Sequence, residues 1–280
     1  MNYKTLPESL RATADLVATY LKVQMGVRGI KAEISIHPSL DRSTLHGVSN
    51  VHEYVCVEVS EEGCYPPSLS RMVEEMKSTQ LPIRLYVAIP ADSAGPRLEK
   101  DIRHARSQGV GVMSVAEHGV VNILADPIPL IHSYVRRIEM AKFPQRFRSD
   151  LHTAQQTYLN GNPTKGCLEI HEIIEEVSRS IVAKLVAKGL LSPPPSPRDI
   201  TKGTWATLLT NVFKRLDFSR IPELKQEFWG NLMGVPAIRN EGAHRPKNVQ
   251  ERAERDQHLR TRFEHAVDLL ATAIKTERQL

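Results

Sequence analysis

The chain lacks any run of about 18 apolar residues, so no segment reads as a membrane-crossing helix. Its opening, Met1-Asn2-Tyr3-Lys4-Thr5-Leu6-Pro7-Glu8, has neither the basic start nor the apolar core of a secretory leader. Cysteine is scarce. Cys56, Cys64 and Cys167 are irregularly spaced, which excludes a disulfide framework and a zinc site. No internal repeat is visible. These gaps lead us to expect a reduced, cytoplasmic protein without membrane association. What remains is ordinary for a soluble globular chain: 280 residues, 41% hydrophobic and 25% charged, enough for two cores. The net charge of +5 is unevenly placed. Residues 141–280 hold 22 Lys+Arg against 16 Asp+Glu, and residues 1–140 hold 15 against 16. A basic second half suits a phosphate backbone, and it equally suits solvated helix faces.

The first half alternates between helix and strand periodicity. Leu10–Gln24 repeats apolar Leu10, Ala14, Val17, Ala18 and Leu21 at helical spacing. Lys31–His37, Tyr54–Val59, Ile83–Ile89, Val110–Val115 and Val120–Leu124 read as strands, the last two parted by a His118-Gly119 turn. Leu69–Gln80 and Arg97–Gln108 read as helices. That order predicts an α/β domain over residues 1–127, with at least part of its sheet parallel. Asp126-Pro127-Ile128-Pro129 breaks the last strand, and residues 128–149 are expected to form a linker with a connecting helix over Ile131–Lys142. Residues 150–280 then read as all-helical. Ser149 or Asp150 would cap a helix through Tyr158, and Asn160-Gly161-Asn162-Pro163 would turn into a long one over Cys167–Lys188. Val249–Glu277 is the last. Arg136, Arg137, Lys142, Arg146 and Arg148 form a candidate basic surface near the junction. His258 and His265 share a helix face at a packing distance rather than a metal-pair distance.

Chemistry concentrates in Ile238-Arg239-Asn240-Glu241-Gly242-Ala243-His244. A guanidinium is a permanent cation whose planar fork fits phosphate oxygens. A histidine gives and takes protons near neutrality. Together they meet the needs of cutting RNA without a metal: one group moves protons, the other holds the charge that builds on phosphorus. Five positions on a straight helix leave Arg239 and His244 roughly 140° apart. A bend near Gly242 or a second copy of the chain would bring them together. Pro236 and Pro246 bracket the stretch as a short helical segment. The same residues have a plainer use, with Arg239 and Asn240 capping a helix start and His244 packing on a neighbouring turn.

This stretch resembles the Arg-x4-6-His motif of HEPN domains, including the polar residue after the arginine, and the long helical segments on either side fit that family. The resemblance implies a helical bundle that dimerises, with catalytic Arg239, Asn240 and His244 of two copies facing one another. It implies a metal-independent endoribonuclease acting in defence or stress response, with no cofactor and no metal. Many relatives keep the helices and serve only in binding or dimerisation. On the helix before the motif, Glu172 and Glu175 are candidates for orienting Arg239, against the alternative of solvated charges.

The order of elements in the first half is similar to restriction-endonuclease-like folds. That resemblance implies an acidic residue followed by acidic-x-lysine on the next strand, holding Mg²⁺ and orienting water. The candidates here are Glu58-Val59-Ser60 with Asp41 or Glu33 upstream, and serine stands where lysine is required. Glu75-Met76-Lys77 has the spacing but falls on a helix. A degenerate nuclease or sensor is therefore expected. The partners expected are RNA, a second copy, and a regulatory protein or nucleotide-like trigger.

Overall fold

A computed structural model describes residues 1–93, 98–191 and 245–280, with Ser196, Arg198, Ile200, Gly203, Thr204, Leu208, Val212 and Ser219. Two compact units form. The first comprises Met1–Tyr134 and Pro246–His258, the second Val135–Arg245 and Leu259–Leu280. Among the described residues no helix is long and apolar enough to cross a membrane.

The first unit is a six-stranded mixed sheet with helices on both faces. Its elements are α1 (Glu8–Val23), β1 (Arg28–Ala32), β2 (Leu45–Val48), β3 (Tyr54–Val59), α2 (Pro67–Ser78), β4 (Ile83–Pro90), α3 (Leu98–Ser107), β5 (Gly111–Val115) and β6 (Val121–Ala125). The strands lie side by side in chain order. β1–β2–β3 pair antiparallel, β3–β4–β5 parallel, and β6 returns antiparallel. The helices α2 and α3 supply the crossovers that parallel pairs require. Apolar Leu10, Ala14, Val17 and Leu21 of α1 pack with Val55, Val57 and Val59 on one face of the sheet. On the other, Leu69, Val73 and Met76 of α2 meet Cys56, Leu85 and Val87. β4 is buried on both faces, which explains its nearly unbroken apolar run.

Two strands depart from the sequence reading. β1 begins at Arg28 and stops at Ala32, although the alternation continues to His37. The chain turns at Glu33, which takes φ +51° and points its carboxylate at the backbone amides ahead of α1. β2 escapes the sequence reading because it is short and contains Gly47. Pairing with β1 and β3 makes it a strand.

The expected connecting helix is replaced by two 3-10 turns, Leu130–Tyr134 and Met140–Lys142. Pro129 precedes the first, and Pro144 holds Phe143 in extended backbone (φ −104°, ψ 150°) after the second. The second unit is helical. Its α4 (Gln145–Leu159) starts directly after Pro144, earlier than a Ser149 or Asp150 cap would place it. Asn162 accepts from the Lys165 amide and caps α5 (Pro163–Ala187), and Pro163 occupies the first turn. Gly166 permits close crossing of α4 and α5, since a Cβ there would lie 2.8 Å from the Ala154 carbonyl. The core joins Phe147, Leu151 and Tyr158 to Ile170, Ile174 and Val177, with Phe263 and Leu270 from the last helix, α6 (Val249–Gln279). Tyr158 and Phe263 pack ring to ring at 4.6 Å.

Candidate functional site

Arg239, Asn240 and His244 lie outside the described residues. The chain from Arg245 onward leads into α6. Asn248 Oδ1 accepts from the Glu251 amide at 2.9 Å, and Glu251 Oε2 accepts from the Lys247 amide at 2.9 Å. This reciprocal cap sets the start of α6 five positions after His244. Of the two supporting carboxylates, Glu172 is exposed and Glu175 ion-pairs with Arg179 one turn on. Arg179 also donates to the carbonyls of Ile200 (2.6 Å) and Gly203 (2.5 Å). Glu175 therefore spends its charge on Arg179, inside the helical unit.

The nuclease-like residues sit at one end of the sheet. Glu58 near the end of β3 and Glu33 after β1 line a cavity of about 260 Å³ with Ser43, Thr44 and Ser60. Asp41 does not join them; it is exposed, 3.7 Å from Arg71. Of the two upstream candidates, Glu33 is the one that lines the cavity with Glu58. Glu33 is buried and saturated, accepting from the amides of Lys4, Thr5 (2.8 Å) and Leu6 (2.7 Å) and from the Thr5 hydroxyl. Burial pushes its pKa up, but these donors outweigh it and pull the carboxyl down to about 2. Glu58 moves the other way. Burial raises it, opposed by the Thr44 amide at 3.0 Å.

This donor set does not suit metal-assisted hydrolysis. Ser60 occupies the lysine position, and its hydroxyl accepts from the Glu62 amide. Among the described residues no group of three His, Cys, Asp or Glu is arranged to hold a metal. Glu75 and Lys77 on α2 form surface pairs with Arg71 and Glu74.

The candidate basic surface is largely neutralised. Arg136 pairs with Asp268 at 2.5 Å, Lys142 with Glu139 at 2.8 Å and Arg146 with Glu277 at 3.0 Å. Arg148 donates to the Phe143 carbonyl.

A second polar centre in the α/β unit has no counterpart in the sequence reading. Glu53, 1% exposed, precedes β3; its Oε2 accepts from Arg84 Nε of β4 at 2.5 Å. Its Oε1 lies 2.9 Å from Arg252 of α6, an ion pair without hydrogen-bond alignment. Arg252 Nε donates to Asp256, which is fully buried, at 2.8 Å. His132 Nε2 lies 3.7 Å from the same carboxylate. Burial, then the Arg252 and Arg84 guanidiniums, push the His132 pKa down and keep the ring neutral. The one local signal in the sequence is the i,i+4 spacing of Arg252 and Asp256. Glu53 and Arg84 join them only through the fold.

A larger cavity, of about 830 Å³, opens beside the C-terminal end of α1, bounded by Asp15, Lys22, Gly26, Arg28 and Asn50. The carbonyl end of a helix opposes an anion there, and Asp15 already engages the chain's amino terminus and Tyr3. No family model, curated protein or solved structure matches the chain.

Proposed function

We propose that this chain is a metal-independent endoribonuclease of HEPN type, acting in defence or stress response, with the α/β unit as its control module. The observation that carries the reading is Arg239-Asn240 with His244 five positions after the arginine, flanked in the chain by the helical elements α5 and α6. In this reading His244 accepts the 2′-hydroxyl proton or donates one to the leaving 5′-oxygen. The 2′-oxygen bonds to phosphorus as the P–O5′ bond breaks. Arg239 neutralises the charge on the pentacoordinate phosphate, and Asn240 holds the pair or contacts the ribose. The products are a 2′,3′-cyclic phosphate and a 5′-hydroxyl. A second copy completes the cleft.

The α/β unit is read as a restriction-endonuclease-like fold that has lost its chemistry. Its helix, antiparallel three-strand meander, and crossover to a parallel strand support that reading, and so do Ser60 and the amide-saturated Glu33. Such a unit would sense a partner protein or a nucleotide-like trigger in the cytoplasm. One observation favours a second reading, a non-catalytic dimerisation and binding module: Arg136, Lys142 and Arg146, three of the five side chains of the candidate basic surface, form internal ion pairs. Cleavage of labelled single-stranded RNA in EDTA separates the two. Wild type is expected to cut, and Arg239→Ala and His244→Ala to lose at least about 100-fold in rate. Equal cutting by all three proteins overturns the assignment of the site, and no cutting by wild type favours the binding module.

A further inference from the structure

The outermost strands of a sheet carry unpaired backbone amides and carbonyls that another chain can use. The two edges of this sheet differ in charge. β6 has no charged side chain, whereas β1 presents Arg28 and Lys31, both exposed. Lys22 of α1 is exposed too and shares with Arg28 the cavity of about 830 Å³. Among the described residues none of these three cations forms an ion pair. The cavity runs as a groove between helix and edge strand, with Ala18 and Lys22 on one side and Arg28, Gly29 and Ile30 on the other. Its apolar lining comes from Ala18, Val27 and Ile30, which belong to the core beneath α1. Val23 and Val51, the chain neighbours of the lining residues Lys22 and Asn50, are 66% and 47% exposed. Gly29 takes φ +62° where the β1–β2 register shifts, and a Cβ there would meet nothing within 4 Å. No side chain at that position bars a second backbone from β1.

We propose that the β1 edge and its groove dock an extended, acidic segment of a partner protein, which joins the sheet as a further strand. Backbone hydrogen bonds to β1 supply affinity, and alternate side chains supply specificity. Apolar side chains of the segment enter the groove over Ala18, Val27 and Ile30. Its carboxylates meet Lys22 and Arg28 at the groove's rim, and Lys31 on the opposite face of the strand. Charge decides between occupants. A second copy would set Arg28 and Lys31 against a like-charged strand, which is unfavourable. Single-stranded RNA binds on stacking rings, and among the described residues no aromatic side chain lines the groove. The carbonyl end of α1 disfavours a compact anion inside the cavity, but carboxylates spaced along a strand stay at its rim. This docking site stands whether or not the chain cuts RNA.

The test selects random displayed dodecapeptides on the full chain. Peptides that combine acidic and apolar residues are expected to be enriched. The double variant Lys22→Glu with Arg28→Glu is expected to bind them at least about tenfold more weakly at low salt. A strand added to an edge bonds to it through every second amide. Methylating one alternating set of peptide amides is therefore expected to abolish binding to the unaltered protein, and methylating the other set to leave it. That comparison needs no substitution in the protein, so it decides even where the variant fails to fold. Hydrogen–deuterium exchange is expected to slow over Gly29–Ala32 when peptide binds, with β6 unchanged. Recovery of no peptide above background overturns the docking site, as does enrichment of basic peptides or equal binding by the variant. Equal effects of the two methylation patterns overturn the strand addition. Protection of β1 that grows with protein concentration in the absence of peptide would assign the edge to a second copy instead. Protection by single-stranded RNA and by no peptide would assign it to nucleic acid.

Discussion

The α/β unit buries carboxylates in two places and compensates them by different means. At the end of the sheet Glu33 is satisfied by neutral backbone amides and a hydroxyl, all from residues 4–6, and among the described residues no cation pairs with it. Around Glu53 the compensation is ionic, from guanidiniums of β4 and α6. The first arrangement leaves a closed anion cradle, filled by the protein's own side chain, and explains why a nuclease-like position lacks the free ligands a metal requires. The second ties segments nearly 200 residues apart in the chain. Carboxylates in an α/β layer signify a catalytic site only when their lone pairs are unspent.

The ionic arrangement is tested most forcefully at Glu53. Glu53→Gln leaves two partly buried guanidiniums facing one another, and a loss of about 3–5 kcal/mol in urea-unfolding stability is expected. A loss below about 1 kcal/mol would mean that the cluster behaves as a solvated surface pair.

The cradle should respond less, and with its own pH signature. Glu33→Gln gives up charge-assisted hydrogen bonds at a cost of about 2 kcal/mol near neutrality. Because the folded-state pKa is depressed to about 2, the stabilisation is present above the unfolded value of 4.5 and fades as pH falls toward 2. Wild type and variant should therefore converge in acid. Glu58 has the opposite sign, its raised pKa meaning that ionisation at neutral pH works against the fold. A gap between wild type and Glu33→Gln that stays constant from about pH 6 to about pH 2.5 contradicts the amide-cradle account.

The helical unit provides a contrast in which no charge is involved. Gly166→Ala drives a Cβ to 2.8 Å from the Ala154 carbonyl and 2.9 Å from the Tyr158 amide, and a thermal-unfolding loss of about 1–3 kcal/mol is expected from overpacking. The smallest effect is expected at the start of α6, where Asn248→Ala removes one cap acceptor and costs about 1 kcal/mol, visible as fraying in exchange over residues 249–252.

Local patterns in the sequence carry the elements whose contacts are periodic. The five apolar positions that recur at helical spacing in α1 (Leu10, Ala14, Val17, Ala18 and Leu21) are the five that are buried, and β3 spans Tyr54–Val59 as its valine alternation predicts. Local patterns fail where a distant partner decides the conformation. Glu33 ends β1 because amides 27 to 29 residues earlier in the chain need an acceptor, and β2 exists because neighbours pair with it on both sides. At the junction the residues read as a helix over Ile131–Lys142 form two 3-10 turns, and Pro144 holds Phe143 extended after the second. The candidate site shows the same division. Arg239, Asn240 and His244 are legible from their chemistry and spacing, and fall outside the described residues. Arg252 is legible only once Glu53 and Arg84 are seen beside it.

Attack by a neighbouring 2′-hydroxyl without a metal stands at the centre of the proposed mechanism. Its most direct test is to map one cut in a labelled RNA in EDTA, then repeat the reaction on the same strand carrying a single 2′-deoxynucleotide on the 5′ side of that bond. The mechanism predicts that this cut disappears while other cuts persist, with 2′,3′-cyclic phosphate ends throughout. Cleavage at the deoxy position, or cleavage only after Mg²⁺ is restored, would contradict it.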